Sequence, residues 1–406
     1  MSHHRVRSGH RSALYWLALG TFAIGTEGFM IAGLLPDISS DLGVGIGAAG
    51  QLVTVFALTY AISSPILTAV SGDMDRCRLL ALAMGAFALA NVVAWASSTY
   101  WGLLGARVLL AFAAGIYVPA ANALASTLVP PQFRGRALAV VNGGTTVAIA
   151  LGVPLGALVG DRFGWRMTFA GVAVLAAAAT LGLMFGLPRG IGAAPICVTI
   201  RQRLEVARRP TVRSALFMTT LWSTGSYTVY TYLATIVRHD LSGSGRAISC
   251  ALFIWGCCGA LGVWLGGRFN DAFGSREVII PALFLSAIAL FALSGVVAVV
   301  PDTRVLLPGM LAIAVWGASA WAVHPAQMAR LIDLAGAPAA PIILSLNASF
   351  LYFGFAAGAA LGSLVMTLGS SNDLGWVGGV AEVMAAWVIV SRRPVTTPPL
   401  AAAPEG

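Results

Sequence analysis

The sequence predicts an all-α membrane protein with twelve transmembrane helices. Hydrophobic residues make up 58% of the 406 residues and charged residues only 10%, and the mean hydropathy is +0.86. A soluble globular chain has a different balance. Apolar runs of about 20 residues, the length that a spanning helix needs, recur along the whole chain. Short stretches rich in Arg, Asp, Gly and Pro separate them.

Each apolar run is predicted to be a helix, because backbone groups in lipid must form their hydrogen bonds internally and the runs are too long for barrel strands. The first run continues through about 23 residues without a small-residue cleavage pattern, which favours a retained span over a signal peptide. The predicted spans are 13–35, 47–70, 78–97, 101–126, 136–160, 166–187, 213–237, 246–268, 278–300, 304–329, 340–367 and 373–391.

The positive charge indicates the orientation of these spans. The formal net charge is +9, and all 24 basic residues are arginine. If the N-terminus is cytoplasmic, most arginines fall on the inner side, as the positive-inside rule expects. Both termini are then cytoplasmic, and nucleic-acid binding becomes the weaker explanation of the charge. The exceptions are Arg107, inside a span, and the outer residues Arg162, Arg166, Arg238, Arg246 and Arg304.

The chain is predicted to consist of two six-helix bundles, 13–187 and 213–391. A cytoplasmic linker, 188–212, joins them, and cytoplasmic tails, 1–12 and 392–406, flank them. Similar residues recur in order along the two halves, which indicates a parallel repeat of the kind found in transporters that rock two bundles around a midplane site. The recurring pairs include Pro119 with Pro325, Asn142 with Asn347, Gly152 with Gly358 and Gly156 with Gly362.

Four stretches carry a resemblance to the major facilitator superfamily: "GTEGFMIAGLLPDISSDLGV", "ARVLLAFAAGIYVPAANA", "LGVPLGALVG" and "FGWRMTF". The sequence most resembles the twelve-helix drug:proton antiporter family, in the branch that contains chloramphenicol-resistance, sugar-efflux and purine-nucleoside-efflux proteins. The resemblance covers essentially the whole chain. It implies the major facilitator fold and proton-coupled export.

Two of the resembling motifs contain predicted functional residues. The third stretch resembles the antiporter motif, whose glycines recur every fourth residue on one helix face and allow close helix approach. General tight packing of a membrane helix is the alternative reason for these glycines. A loop motif between spans 2 and 3, predicted to act in gating at the inner side, is degenerate, and its copy in the second half is better preserved. For the charged residues of these loops, inner-face ion pairs and topology determination are the alternative role. The antiporter motif comprises Gly152, Pro154, Gly156 and Gly160, and the loop motifs comprise Gly72, Asp73 and Arg76, then Gly267, Asp271, Gly274 and Arg276.

Glu27 lies within the first apolar run and is the predicted proton carrier. A charge near the bilayer centre is costly, so it persists mostly where it has a partner or a cavity. Burial disfavours the charged form of a carboxyl group and a nearby arginine favours it. Arg107, at a comparable depth in span 4, is therefore predicted to act with Glu27 in proton coupling. A purely structural buried pair is the alternative.

Weaker signals indicate a substrate cavity. Span 7 carries aromatic and hydroxyl side chains, and Trp and Asn side chains of spans 5, 10 and 11 are its companions. For each of these residues, packing or interfacial anchoring is at least an equal alternative. The cavity candidates are Asn142, Trp222, Ser226, Tyr227, Tyr230, Trp316 and Asn347, with Trp321 as a further companion. Glu382 in span 12 is a second candidate for the coupled proton.

These observations predict a monomeric secondary transporter of the bacterial inner membrane that exports a small organic compound or drug, such as a chloramphenicol-like compound, in exchange for protons. An exporter of a sugar or purine nucleoside, or an importer of a small metabolite, is the alternative. The sequence has no nucleotide-binding loop and no residue spacing for a metal or a catalytic centre. We therefore expect no enzyme activity and no cofactor, with the proton gradient as the energy source.

Overall fold

The computed structural model describes residues 2–71, 74–130, 133–186, 205–301, 304–336 and 339–391, with side chains from residue 12 onward. All regular structure in these residues is helical. The long helices are α1 (Ser2–Asp41), α2 (Ile46–Val70), α3 (Arg76–Ala96), α4 (Tyr100–Thr127), α5 (Arg134–Phe163), α6 (Trp165–Gly186), α7 (Pro210–Tyr230), α8 (Gly245–Phe273), α9 (Ser275–Val299), α10 (Leu306–Ala335), α11 (Ala340–Leu368) and α12 (Asp373–Val390).

Eleven helices of the described residues are long and apolar enough to cross a membrane. Helix α7, at the seventh predicted span, is not among them, because Ser and Thr side chains recur along it. Residues 225–237 are buried without interruption, so this segment is shielded by protein on all sides and does not need an apolar surface. The twelve-span count and the cytoplasmic termini stay predictions.

The boundaries of two predicted regions differ from the structure. Helix α1 begins at Ser2, so the predicted tail 1–12 is helical from its second residue. Helix α7 begins at Pro210, inside the predicted linker, because proline is well placed in the first turn of a helix, where no backbone donor is needed. Most of that linker and the tail 392–406 lie outside the described residues.

Helix packing repeats with a shift of six helices. In the first half, α1 packs on α5 and α6, α3 on α4 and α6, and α2 on α4. In the second half, α7 packs on α11 and α12, α9 on α10 and α12, and α8 on α10. The two halves meet through α2 with α11 and α5 with α8, and these two contacts are also equivalent under the same shift. The sequence repeat thus has a matching repeat in the packing.

Two helices of the described residues depart from regular α geometry, α5 near the middle of its length and α7 where it ends. Helix α5 contains a π-helical turn at Ala148–Gly152, just before Pro154, whose missing N–H disrupts the regular hydrogen-bond ladder. Helix α7 ends at Tyr230, and the chain continues through a short turn, Leu233–Thr235, and a second π-helical turn, Ile236–Asp240. Single π turns of this kind occur often at functional sites.

The halves contact each other at the end of the bundle that the arginine distribution assigns to the outside, called the outer end below. Ser363 Oγ of α11 donates a hydrogen bond of 2.9 Å to the Gly47 carbonyl of α2. Deeper in the molecule, the rings of Tyr60 and Tyr352 stack with centroids 3.9 Å apart. Helices α2 and α11 are therefore joined from the outer end to near the middle of their length.

Candidate transport site

Glu27 of α1 and Arg107 of α4 form an ion pair inside the first half. Both side chains are fully buried, and Arg107 Nη1 donates to Glu27 Oε1. A third helix fixes the arginine, because Arg107 Nε donates a 3.1 Å hydrogen bond to the Leu52 carbonyl of α2. The guanidinium carbon lies 4.2 Å from the centroid of the Phe56 ring, a distance typical of a cation–π contact. The structure thus brings together the two residues predicted for proton coupling.

Each member of this pair keeps one polar atom without a hydrogen-bond partner among the described residues. These atoms are Glu27 Oε2 and Arg107 Nη2. A buried polar group without a partner is costly, so a rigid structural pair would be expected to satisfy both. The arrangement can accept a further group at either atom, such as a water molecule, a proton on the carboxylate or a polar part of a substrate.

An aromatic cluster, consisting of Phe29, Tyr227, Tyr230, Trp321 and Phe355, lies beside this pair where the halves meet. Phe29 of α1 lies at its centre, with ring centroids 6.0–6.4 Å from the other four. The rings of Tyr227 and Phe355 stack at 3.6 Å. The Tyr230 hydroxyl donates to the Phe29 carbonyl at 3.1 Å, across the two halves. The cluster therefore joins α1 of the first half to α7, α10 and α11 of the second.

The predicted cavity residues of α7 have two different surroundings. Tyr227 and Tyr230 belong to the aromatic cluster. Ser226 faces the other way: its Oγ donates to Glu382 Oε1 of α12 at 2.8 Å and lies 3.5 Å from Trp316 Nε1. Ser226 and Trp316 are therefore neighbours, as two members of one site would be. Their contacts, however, lie within the second half, where Ser226 binds Glu382.

Trp222 and Asn347 lie further from the outer end. Trp222 is buried, its indole N–H has no partner among the described residues, and its ring centroid is 6.3 Å from that of His324. The Asn347 amide oxygen accepts a 2.9 Å hydrogen bond from Thr219, which in turn accepts one of 3.0 Å from Gln327. Asn347 therefore belongs to a buried polar network that the sequence did not indicate.

Asn142 differs from its repeat counterpart Asn347. It is exposed, and its Oδ1 accepts a hydrogen bond of 3.2 Å from Asn122 Nδ2 of α4. The two asparagines occupy corresponding helices, α5 and α11, but only Asn347 is buried by its neighbours.

The antiporter-motif glycines face α1. A Cβ atom at Gly152 would overlap Thr26, one at Gly156 would lie 3.3 Å from Met30, and one at Gly160 would overlap Leu34. In the second half, Gly358 and Gly362 of α11 lie in the same way against α7. Close helix approach through small residues, as expected for this spacing, thus places α5 against the helix that carries Glu27.

The loop motifs are described only in part. Gly72 and Asp73 lie outside the described residues, and Arg76 is a buried residue at the start of α3. Arg276, at the start of α9, donates to the Val390 carbonyl of α12 at 3.3 Å. Between Asp271 and Arg276, Gly274 has a φ of +94°, a conformation that favours glycine. Gly267 faces open space.

Sequence reasoning missed an ion pair that joins the halves at the outer end. Arg238 Nη1, in the irregular segment after α7, lies 2.9 Å from Asp37 Oδ1 of α1. A second pair, 2.5 Å between Arg166 and Asp41, stays within the first half, and Asp240 accepts from Ser371 at 2.7 Å in the second. Sequence analysis assigned Arg238 only as an exception to the arginine asymmetry; its presence at the outer end was the available signal.

The comparisons with known proteins give the family. The family model of the Major Facilitator Superfamily matches residues 17–231, more than half of the chain. The chain belongs to the major facilitator superfamily. The resemblance seen in the sequence is therefore confirmed, and the protein is a multi-pass membrane transporter and not an enzyme.

Curated members of the superfamily match over almost the whole length. The MFS-type transporter YbcL of Bacillus subtilis (strain 168) is 31% identical over 94% of this chain and 96% of its own. The chloramphenicol resistance protein of Streptomyces lividans is 34% identical over 95% of this chain and 97% of its own. The inner membrane transport protein YdhP of Escherichia coli (strain K12) is 30% identical over 93% and 95%.

Solved structures show the same superfamily fold. A bacterial homolog of the human lysosomal transporter Spinster, in an inward-facing and occupied conformation, superposes with a TM-score of 0.75 at 17% identity, covering 93% of this chain and 95% of that one. The human organic anion transporter MFSD10 (TETRAN) superposes with a TM-score of 0.66 at 16% identity, covering 95% and 99%.

Proposed function

We propose that this MFS transporter exports a small organic compound in exchange for protons, by alternating access, in the bacterial inner membrane. In this proposal the chain works as a monomer with twelve spans and cytoplasmic termini. The proton gradient supplies the energy, with no cofactor. Glu27 carries the coupled proton, and Arg107 makes its protonation depend on the conformation of the first half.

The observation that carries the proposal is the buried pair of Glu27 and Arg107. Protonation of Glu27 removes the negative charge that compensates Arg107, and an uncompensated buried charge is strongly unfavourable. Arg107 must then take another partner or gain access to water. Because Arg107 also holds α2 through the Leu52 carbonyl, such a change alters the contacts among three helices. Proton binding and helix arrangement are coupled through this one side chain.

The position of Glu27 supports a link between proton and substrate. Phe29, two residues further along α1, lies at the centre of the aromatic cluster that joins the two halves. An aromatic site with few polar groups suits an amphiphilic organic compound. The relative from Streptomyces lividans is a chloramphenicol resistance protein, so chloramphenicol is the first compound to test here.

The experiment uses purified protein in lipid vesicles with an imposed pH gradient. Chloramphenicol, a purine nucleoside and a sugar are tested as substrates, with and without a protonophore. We expect gradient-driven transport of at least one compound, which Glu27→Gln abolishes while gradient-independent exchange of that compound continues. The matched control is Glu277→Gln, an exposed carboxyl group in the first turn of α9. Gradient-driven transport that survives in Glu27→Gln contradicts the assigned role of Glu27.

A further inference from the structure

A second buried carboxyl group lies in the second half. Glu382 of α12 is fully buried, and Ser226 Oγ of α7 donates to its Oε1 at 2.8 Å. The indole N–H of Trp316, on α10, points to the same Ser226 oxygen at 3.5 Å. Ser226 thus contacts one oxygen of this carboxyl group directly, and Trp316 contacts Ser226.

Close backbone packing holds Glu382 in this place. A Cβ atom at Gly225 would lie 2.6 Å from the Gly378 carbonyl oxygen, and one at Gly378 would lie 2.7 Å from the Gly225 carbonyl oxygen. Neither position therefore has room for a side chain. Since Gly378 and Glu382 are one helical turn apart, the crossing of α7 and α12 presses Glu382 against α7 next to Ser226.

No charged group compensates Glu382 among the described residues. Helices α7, α9 and α11 pack against α12, and the polar groups that face Glu382 are the hydroxyls of Ser226 and Ser286. Its second oxygen, Oε2, has no partner in the described structure. An isolated buried carboxylate is far costlier than a neutral carboxylic acid, so the burial of Glu382 without a cation favours its protonated form. Glu382 differs in this respect from Glu27, whose charge is compensated by Arg107.

The location within the repeat connects Glu382 with the transport cycle. With an offset of 199 residues, Ser226 corresponds to Glu27, so the second half has a carboxyl group beside the equivalent position, supplied by α12 instead of α7. The ring of Trp316 contacts the ring of Trp255, with centroids 5.5 Å apart. The ring of Trp255 in turn contacts that of Tyr230, with centroids 4.3 Å apart. This row of side chains ends at the hydrogen bond between Tyr230 and Phe29 that joins the halves.

We propose that Glu382 is a second proton-binding site, which takes up and releases its own proton as the second half changes conformation. The inference rests on the proposed function for its use in transport, but proton binding itself can be measured without substrate. The two carboxyl groups then act as a pair, one ion-paired and one neutral in the same conformation. More protons move in a cycle than Glu27 alone carries.

Infrared difference spectra of the purified protein in lipid vesicles test the site. We expect a carboxylic-acid C=O band near neutral pH that disappears as the pH is raised and shifts in D₂O. Glu382→Gln removes this band, whereas Glu27→Gln and the exposed control Glu277→Gln retain it. Ser226→Ala keeps the carboxyl group but removes its donor, so the band persists at a shifted frequency; this variant decides the matter if Glu382→Gln does not fold.

Two results overturn the proposal. One is a spectrum in which Glu382→Gln removes no band. The other is a band that Glu382→Gln removes but that responds neither to alkaline pH nor to D₂O, because that behaviour belongs to a permanently buried structural acid. Since these spectra need neither substrate nor a pH gradient, they remain decisive even if proton-driven export fails in the vesicle experiment.

Discussion

Gly152 of α5 packs directly against Thr26 of α1, the residue that precedes Glu27. The contact is between the antiporter motif and the helix that carries the ion-paired carboxylate. Any side chain at position 152 would overlap the Thr26 side chain. The small residues of the motif therefore help to determine where Glu27 lies relative to Arg107. This is a more specific role for the glycine spacing than general tight packing.

This relationship predicts a graded series of alanine variants in α5. Gly152→Ala should abolish most transport, because the new Cβ overlaps the Thr26 side chain, which is stiff because it is β-branched. Gly156→Ala should be milder, because its Cβ would lie 3.3 Å from Met30, whose side chain is flexible, whereas Gly156→Leu should be inactive. Gly143→Ala is the matched control on the same helix, with nothing within 4 Å. Vesicle transport normalised to membrane expression provides the measurement; equal activity of Gly152→Ala and Gly143→Ala would show the contact to be incidental.

Arg107 is predicted to be irreplaceable by lysine. Its Nε and Nη1 groups bind the Leu52 carbonyl and Glu27 at the same time, and the single ammonium group of lysine cannot reproduce that fork. Arg107→Lys should keep the protein folded but weaken proton coupling. Arg107→Ala leaves Glu27 buried without its partner and should lower the free energy of unfolding by about 3–5 kcal/mol. Thermal unfolding in detergent measures the second effect.

The double variant Glu27→Gln with Arg107→Leu separates structure from coupling. With both charges removed, stability should return towards that of the unmodified protein, because replacing a buried pair by uncharged side chains is often neutral. Gradient-driven transport should not return. Recovery of both stability and transport would mean that the pair has only a structural role.

The outer contacts predict a shift in the balance between closed and open outer ends. Tyr230→Phe removes the hydrogen bond to the Phe29 carbonyl. This loss should destabilise the closed outer end relative to the open one by about 0.5–1.5 kcal/mol, which changes the ratio of the two states by about two- to tenfold. The probe is Ser363→Cys in a protein whose native cysteines are replaced by serine, since Ser363 is buried where α11 meets α2. Labelling by an impermeant thiol reagent from outside should rise in Tyr230→Phe.

Asp37→Asn should raise the same labelling by less, since the Asp37–Arg238 pair is about one-third exposed and solvent screens such pairs. The exchanged pair Asp37→Arg with Arg238→Asp should restore closure. If Asp37→Asn and the exchanged pair both label like the unmodified protein, the ion pair does not hold the outer end closed.

Helix positions could be predicted well because lipid demands long apolar runs. The predicted third span, 78–97, became Arg76–Ala96, and the eleventh, 340–367, became Ala340–Leu368. The seventh was harder, because protein surrounds its outer half and hydropathy no longer indicates its surroundings. The break after Tyr230 depends on contacts with α1 and the second half, which no local sequence pattern contains.

The site could be predicted only one residue at a time. Glu27 and Arg107 were found because charges in apolar runs are conspicuous. Their partners Leu52 and Phe56 were not, because a backbone carbonyl and an ordinary aromatic ring leave no signal in the sequence. Likewise, the glycine spacing of α5 predicted a contact face but not α1 as its partner. Ser226 was predicted for a substrate cavity, whereas its described contacts are with Glu382 and Trp316.

The repeat-related residues Asn142 and Asn347 are predicted to respond differently to the same substitution. Asn347 is buried, and its amide oxygen accepts from Thr219 within the network that includes Gln327. Asn347→Ala removes this acceptor and leaves a cavity, so the free energy of unfolding should fall by at least about 1 kcal/mol.

Asn142 is exposed and makes one 3.2 Å hydrogen bond to Asn122. Asn142→Ala should therefore leave thermal stability nearly unchanged and alter the apparent affinity for the transported compound. Thermal stability and apparent affinity are measured for both variants, and they decide which asparagine is structural and which lines the cavity. An unstable Asn142→Ala, or a stable Asn347→Ala with altered affinity, would reverse the assignment. The second of these results would place the cavity wall in the second half.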